Sequence, residues 1–291
     1  MNTDYHSQEV RLAVVIAFHN RKEYLLETLT SFGPVFDQDI GKQIEFILVG
    51  DGSENDVFTT ADIPSRLQPL TRLFWFPPQG RPAAARNFGV EQSRRATHLM
   101  FVDSDDRICA PGFRKALETV GRIKADVYPF NFRYISAAGE PSTPYGRNVQ
   151  FPWYDFRPFL WTKLGYRRAL LLTNPLMISS FIRRDAFHAL GGFDEAIPAE
   201  DYELWLSAAY SDCQFCHLPY VVCEKREHQG SRSFDKVQDD KNVLVSIQTP
   251  RLKALMGSAY RKLEANWLAR VQATPHRRSL LQRLETIAKS L

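Results

Sequence analysis

The stretch Asp103-Ser104-Asp105-Asp106 places three carboxylates within four residues. It follows His98-Leu99-Met100-Phe101-Val102, a short apolar run that predicts a buried strand. Carboxylates gathered at the mouth of such a strand repel one another and are costly to desolvate. A divalent cation removes that cost, and hard oxygen donors suit Mg²⁺ or Mn²⁺. Mg²⁺ takes few protein ligands and fills its sphere with water and substrate phosphates. The cluster therefore predicts an enzyme that holds a phosphorylated donor through a metal. The competing account is an acidic turn whose Asp side chains cap the helix that follows.

The elements that must position this cluster alternate in type. Residues 12–18 (LAVVIAF) form a continuous apolar run of strand length, as in a sheet covered on both faces. Asn20-Arg21-Lys22-Glu23 opens a helical pattern with Leu25, Leu26, Leu29 and Phe32 on one side. A second buried strand, residues 44–49, runs into Gly50-Asp51-Gly52-Ser53, and a third, residues 72–76, precedes Pro77-Pro78-Gln79-Gly80-Arg81-Pro82. A helix is expected over 83–93, and the fourth strand delivers the acidic cluster. Alternation of this kind predicts βαβ units and a mostly parallel sheet. Ligands of such sheets bind beyond the carboxyl ends of the strands, where Asp51 and Asp103 to Asp106 would line one crevice.

Residues 141–158, rich in Pro and aromatics, carry no periodicity and read as a loop over the site or an ordered surface excursion. Periodicity returns at 176–183, followed by a helix at 184–190 with a Gly191-Gly192 stop. Pro198-Ala199-Glu200-Asp201 starts another helix, with Tyr202, Leu204, Trp205 and Ala208 available for packing. Residues 235–240 are polar and read as a linker. The remainder is helical, with Leu280, Leu281, Leu284 and Ile287 at helical spacing.

The 291-residue chain, 44% hydrophobic and 24% charged, can build a sizeable core. Its net charge of +4 is too mild to imply nucleic acid. No apolar stretch approaches the roughly 18 residues of a membrane helix, and the first residues lack the apolar run of a signal peptide, so a cytoplasmic location is expected. Arg270, Arg277, Arg278, Arg283 and Lys289 stand against only Glu285 near the C-terminus. Such a basic helix suits either an anionic membrane surface, giving peripheral contact with its inner face, or a solvated helix face. Cys213-Gln214-Phe215-Cys216-His217 matches a haem-attachment spacing, and Cys213, Cys216, Cys223 and His228 a loose zinc spacing. The run is apolar and β-prone, and the expectation is that these cysteines are small core residues.

Taken in order, residues 12–233 resemble glycosyltransferase family 2, the inverting nucleotide-sugar transferases of GT-A fold. The resemblance rests on Val14-Val15-Ile16-Ala17-Phe18-His19-Asn20-Arg21; Asp51-Gly52-Ser53-Glu54-Asn55-Asp56; Gly80 with Ala85-Arg86-Asn87-Phe88-Gly89; Asp103-Ser104-Asp105-Asp106; Gly191-Gly192-Phe193-Asp194-Glu195; Glu200-Asp201-Tyr202-Glu203-Leu204-Trp205; and His228-Gln229-Gly230-Ser231. Several blocks in one order are far more specific than any single motif. The resemblance implies an α/β fold: a GT-A, Rossmann-like, mostly parallel central sheet with flanking helices over residues 1–235. A helical C-terminal extension would occupy 236–291.

It also implies roles. Asp51 would accept a hydrogen bond from the nucleotide base, usually uracil, whose ring N–H is a donor. The family more often has a second Asp where this chain has Gly50. Arg86 would pack near the nucleotide and organise the acidic strand end, or else form a salt bridge to a sheet-end Asp without touching the ligand, and Asp103 would lie near ribose and metal. Asp105 or Asp106 would be the direct ligand of Mn²⁺ or Mg²⁺, with His228 at the metal or diphosphate. Asp201, with Glu200 beside it, would be the general base, kept ionised by the helix N-terminus. Capping of the helix by the same two residues is the plainer alternative. Ser207 stands where the family often has Arg. Arg226 and Arg232 flank His228 and suit either phosphate or solvent.

The implied reaction is metal-dependent transfer, with inversion, of a hexosyl or N-acetylhexosaminyl group. The donor would be a nucleotide-sugar, a UDP-sugar above all, and the acceptor a hydroxyl of a glycan or lipid-linked molecule, as in polysaccharide biosynthesis. A nucleotidyltransferase should carry a Gly-rich, Lys-bearing phosphate loop after the first strand, where this chain reads His19-Asn20-Arg21-Lys22-Glu23 without glycine. A catalytically inactive scaffold of the same fold would not need the intact acidic cluster and Asp201.

Overall fold

A computed structural model describes residues 10–36, 43–52, 57–78, 81–93, 95–142, 162–229, 231 and 236–272. Its first half comprises β1 (Leu12–Phe18), α1 (Lys22–Ser31), β2 (Ile44–Asp51), β3 (Thr71–Phe76), α2 (Pro82–Gln92) and β4 (His98–Phe101). There follow β5 (Arg107–Ile108), α3 (Ala110–Arg122), β6 (Val127–Tyr128), β7 (Phe130–Ile135), β8 (Pro141–Ser142), α4 (Lys163–Leu170), β9 (Phe181–Arg183), α5 (Arg184–Ala189), α6 (Glu200–Tyr210) and β10 (Leu218–Arg226). The described chain ends in α7 (Lys236–Ser246), α8 (Pro250–Met256) and α9, residues 258–272.

β1 is apolar throughout because it lies inside a six-stranded sheet of order β3-β2-β1-β4-β9-β6. β3, β2, β1 and β4 are parallel, and β9 runs antiparallel to both its neighbours. Alternate residues feed two cores. Ala13, Val15, Ile47, Val49, Leu99 and Phe101 pack toward α2, α5 and α6. Leu12, Val14, Ile16, Phe46, Leu48 and Met100 pack toward α1 and α3, meeting Leu25, Leu29, Phe32, Phe113 and Leu117. Each large apolar side chain buried this way contributes about 1.5–3 kcal/mol. A second sheet, β5-β10-β7-β8, is built around parallel β10 and β7.

Two helices come unusually close to strands. In α2, Ala83, Ala84, Ala85 and Gly89 are buried, and a Cβ on Gly89 would sit 2.5 Å from Val15 Cγ1 of β1. In α3, a Cβ on Gly112 would sit 1.9 Å from the Val221 carbonyl oxygen of β10. These approaches fix where Arg86 and the end of β10 emerge.

Within the periodic stretch 176–183, Phe181–Arg183 is strand and Leu176, Met177 and Ile178 are buried in irregular chain. The structure corrects two expectations. Residues 236–240 are not linker but the first turns of α7: Asp240 is buried and paired with Arg270 of α9 at 3.1 Å, a partner too distant in sequence to be read locally. Arg270, read as part of a membrane-facing or solvated helix, instead stacks on Trp267 at 4.3 Å and donates to the Leu172 carbonyl at 2.9 Å. The helices after residue 235 share the core beneath α6: Val243, Ile247, Leu252, Met256, Leu263 and Trp267 are buried in the same cluster as Val15 and Trp205. Among the described residues no helix is long and apolar enough to cross a membrane. Residues 143–158 of the expected loop, the basic residues 277, 278, 283 and 289, and the apolar set 280–287 lie outside the described residues.

Gly112→Ala should destabilise the protein by about 3 kcal/mol, because the added methyl meets backbone rather than a movable side chain. Chemical denaturation checks this; a variant as stable as the parent would mean that α3 does not lie this close to β10.

Candidate active site

The carboxyl ends of β2, β1 and β4 lie side by side at one edge of the sheet. β2 ends in Asp51 and β4 runs into Asp103, two strand spacings or about 10 Å away. Between them, the chain leaving β1 turns through Asn20 (φ 54°) and Arg21 (φ 55°), both left-handed. For non-glycine residues this costs about 1–2 kcal/mol each. The turn aims His19, whose Nδ1–H donates to the Asp51 carbonyl at 2.7 Å. It also sends the Arg21 guanidinium to within 3.3 Å of His228 Nε2.

Gly50 stands where a second acid was expected from the resemblance, and the reason is steric. A Cβ there would lie 2.5 Å from the Trp75 ring of β3, with Phe18 on its other side at 3.2 Å. The chain has put an indole where that acid would need room. Gly52, at φ 64°, closes the turn by donating to the Phe76 carbonyl. Residues 53–56, 79–80, 230 and 232 lie outside the described residues.

Close packing of α2 delivers Arg86 to the centre of the edge. Its buried guanidinium donates to Asp103 Oδ1 and to Glu200 Oε1, each at 2.6 Å. Asp103 belongs to the acidic turn and Glu200 to the first turn of α6, so one side chain ties the two together. Burial opposes the Arg86 charge, but Asp103, Glu200 and Asp201 overcome it and hold the group more basic than usual.

Asp105 and Asp106 part company. Asp105 Oδ2 lies 2.8 Å from His228 Nε2, and His228 stacks on Tyr24 of α1 with ring centroids 5.2 Å apart. Asp106 is buried beneath the turn: Oδ1 accepts the Arg226 backbone N–H at 2.9 Å, and Oδ2 lies 4.0 Å from Cys223 Sγ. Burial raises the Asp106 pKa well above the usual range, and Asp103 and Asp105 push it the same way. Arg226 is not solvated. It is buried under the turn, where its side chain donates to the Asp105 and Ala137 carbonyls at 2.8 Å each and to Glu27, with its guanidinium over the Tyr24 ring at 4.8 Å.

Asp201, next to Glu200, accepts the Tyr202 backbone N–H at 2.8 Å and the Asn174 amide at 3.1 Å. Its pKa is pushed up to about 6, by burial first and then by Glu200, with Lys225 and Arg86 pulling the other way. A carboxylate so tuned is largely ionised at neutral pH yet basic enough to accept a proton.

The resemblance left Lys225, Asn174, Tyr24 and Glu27 unassigned. A Lys followed by Arg at the end of an apolar strand was the one available signal, and it gives no partner. Ser207, on the base-bearing helix, donates to buried Glu203 at 2.9 Å, and Arg251 of α8 approaches the same carboxylate at 3.7 Å. The buried Glu203 thus meets a cation from another helix as well as the Ser207 hydroxyl. Elsewhere, His217 accepts from Tyr166 Oη at 2.6 Å and donates to Asn131 at 3.2 Å, and burial lowers its pKa to about 4. The four cysteines are unpaired. Among the described residues no three His, Cys, Asp or Glu side chains converge as a complete ligand set.

The sequence profile described as glycosyl transferase family 2 matches residues 13–191, more than half of the chain. No curated protein sequence matches it. Among solved structures, TarS 1–349 of S. aureus in complex with UDP-GlcNAc is similar at TM-score 0.62 and 17% identity, over 89% of this chain and 72% of that one. The same protein in complex with UDP gives TM-score 0.61 at 17% identity, over 89% and 71% of the two chains. The mannosyltransferase PcManGT from Pyrobaculum calidifontis, in complex with GDP-Man and Mn²⁺, gives 0.59 at 14% identity, over 99% of this chain and 84% of that one. The central sheet with flanking helices is thus the GT-A fold.

Arg86→Met should cost about 3 kcal/mol, because it strands the buried Glu200 carboxylate beside Asp103. Adding Glu200→Gln should recover part of that loss. A double-mutant cycle by denaturation measures the coupling, and strict additivity would mean that the bridge does not hold the two segments together.

Proposed function

The chain belongs to glycosyl transferase family 2 and is a glycosyltransferase, and from that premise we propose that it moves a sugar from a UDP-sugar to an acceptor hydroxyl with inversion at the anomeric carbon. The observation that carries this reading is the Arg86 bridge, which sets the acidic turn after β4 against the helix turn that carries Asp201. A donor held at the first would present its anomeric carbon to a base at the second.

Asp51, at the end of β2, is the residue to read the base, and Asp103, fixed by Arg86, the residue beside the ribose. Asp105 and His228, rather than buried Asp106, form the pair to hold a divalent cation. The two atoms converge at 2.8 Å, a hydrogen-bonding distance in this structure, and both are donor types that a divalent cation would accept. A carboxylate oxygen and an imidazole nitrogen suit Mn²⁺, and Mg²⁺ to a lesser degree. A cation held there would supply Lewis-acid neutralisation of the departing diphosphate. The UDP, UDP-GlcNAc, GDP-Man and Mn²⁺ of the similar structures support a nucleotide-sugar and a metal.

The chemistry of the protein's own groups follows. Asp201 accepts the proton of the acceptor hydroxyl, and the oxygen so freed attacks the anomeric carbon. The bond from that carbon to the diphosphate oxygen breaks on the opposite face, and inversion results. Asn174 and the Tyr202 N–H hold the carboxylate in one orientation. Arg21 brings positive charge to the His228 side of the site. The acceptor is taken to be a glycan or a lipid-linked saccharide.

Because the base must be ionised, kcat/KM should rise with pH through an apparent pKa near 6 and then level off. A rate independent of pH between 5 and 8 contradicts the assignment. Asp201→Asn should keep UDP binding and lose about 10²–10⁴-fold in transfer. A raised folded pKa means that the native state holds this proton more tightly than the unfolded chain, so ionised Asp201 costs stability above about pH 6. The Asn variant should therefore melt at a higher temperature at pH 7.5, and a lower Tm there counts against the raised pKa.

A further inference from the structure

Among the described residues Lys225 is the one lysine within electrostatic reach of the site's carboxylates, and nothing so far gives it a task. It lies in β10 opposite Tyr134 of β7, as Cys223 lies opposite Phe132. Side chains two apart in a strand share a face. Cys223 Sγ lies 4.0 Å from Asp106 Oδ2, so the Lys225 side chain also projects to the acidic-turn side of β10. Glu224, on the opposite face, is taken up by Arg107 and Arg133. Lys225 is half-buried, and among the described residues its ammonium makes no hydrogen bond or ion pair within 4 Å.

The charged and polar groups that face it come from every side: Tyr134 from β7, Asp106 and Asp103 from the turn after β4, and Asp201 from α6. Burial works against the ammonium, but these four groups outweigh it and keep the lysine charged. An ammonium has three N–H donors. When a ligand fills the site and displaces water, those donors must find acceptors or pay for desolvation.

In-line displacement defines which part of the ligand lies there. The leaving diphosphate sits by Asp103 and Asp105, the attacking oxygen by Asp201, and the transferred sugar between them. Lys225 projects from the face of β10 turned to the acidic cluster and lies within electrostatic reach of both Asp103 and Asp201. We infer that Lys225 is a donor-sugar contact, its ammonium donating to hydroxyl or ring-substituent oxygens of the transferred sugar rather than to the diphosphate. The inference rests on the proposed UDP-sugar reading and adds the residue that senses the sugar. The bonds replace lost hydration of a charged donor, so they discriminate between sugars that place an oxygen there and sugars that do not.

The test compares two probes on the full-length protein with Mn²⁺ present: UDP alone, and whichever of UDP-glucose, UDP-galactose and UDP-GlcNAc the wild type binds most tightly. Calorimetry of Lys225→Gln should show affinity for the sugar nucleotide reduced about tenfold or more, with affinity for UDP changed less than twofold. Lys225→Arg, which keeps the charge and donors, should fall between. Equal losses for both probes would overturn the inference in favour of a diphosphate contact or a collapsed site, and thermal melting separates those two. No loss for either probe overturns it as well. A wild type that binds UDP-sugars no better than buffer removes the UDP-sugar reading itself, a result distinct from any outcome on the variants.

Discussion

The Arg86 guanidinium, shared between Asp103 and Glu200, is the interaction on which the site depends. Left alone, the acidic turn and the start of α6 would repel, since both present carboxylates to the same crevice. A planar donor with two separate N–H faces can satisfy one carboxylate on each side, which an ammonium point charge does less well. The geometry behind it is set by small residues. Gly89 and the Ala83-Ala84-Ala85 run let α2 lie against β1 and β2, so the guanidinium reaches the strand ends without crossing solvent. A sequence feature that looks like mere helix propensity is what places the charge.

Among the described residues Arg226, Arg86 and Lys225 meet the site's carboxylates at different depths. Arg226 lies lowest, under the turn, binding carbonyls and Glu27 and supporting the Tyr24 ring on which His228 stacks. It orders the Asp105–His228 pair without reaching the open side of the turn. Arg86 lies at the middle level between two acids. Lys225 is the least committed of the three, half-buried and without a fixed partner among the described residues. The acids are graded in the same way. Asp106 is buried and biased toward its protonated form, Asp201 is poised near 6, and Asp105 is paired with a histidine. Neighbouring residues of one sequence motif thus acquire different chemistry because the strand end buries one and turns another outward.

Much of this was legible in the sequence. The apolar run Leu12–Phe18 and its alternation with helices announced a parallel sheet, and ligand groups at strand ends follow from that topology. The ordered blocks named the residues that the structure brings to one edge: Arg86, Asp103 and Glu200 in contact, Asp105 against His228, and Asp51 about two strands away. Three kinds of fact could not be read. Whether Asp105 or Asp106 turns outward depends on Cys223 and the Arg226 backbone, more than 100 residues on. The reason for Gly50 is a Trp75 ring from the neighbouring strand. The polar character of 236–240 concealed a helix because Asp240 finds Arg270 thirty residues later. Each depends on a side chain distant in sequence, which local pattern does not encode.

The helices after β10 bear on the chemistry through the rear of α6. Trp267 Nε1 donates to the Tyr202 hydroxyl at 2.9 Å, and that hydroxyl donates in turn to the Leu170 carbonyl. Tyr202 immediately follows the proposed base. At the next residue Arg251 faces Glu203, and before the helix the Ser246 hydroxyl accepts the Ala199 backbone N–H at 2.8 Å, satisfying a donor at its very start. Within the helix that N–H would be taken by a Glu or Gln at the third position, where this chain has Tyr202, and Ala199 itself offers no side-chain acceptor to the first turn. The first turn of α6, which carries Glu200 and Asp201, is therefore capped and registered by groups from α7, α8 and α9. A base must keep its reach to within a fraction of an ångström. For the proposed base that precision comes from helices that supply none of the groups named above, and residues 236–272 form part of its framework.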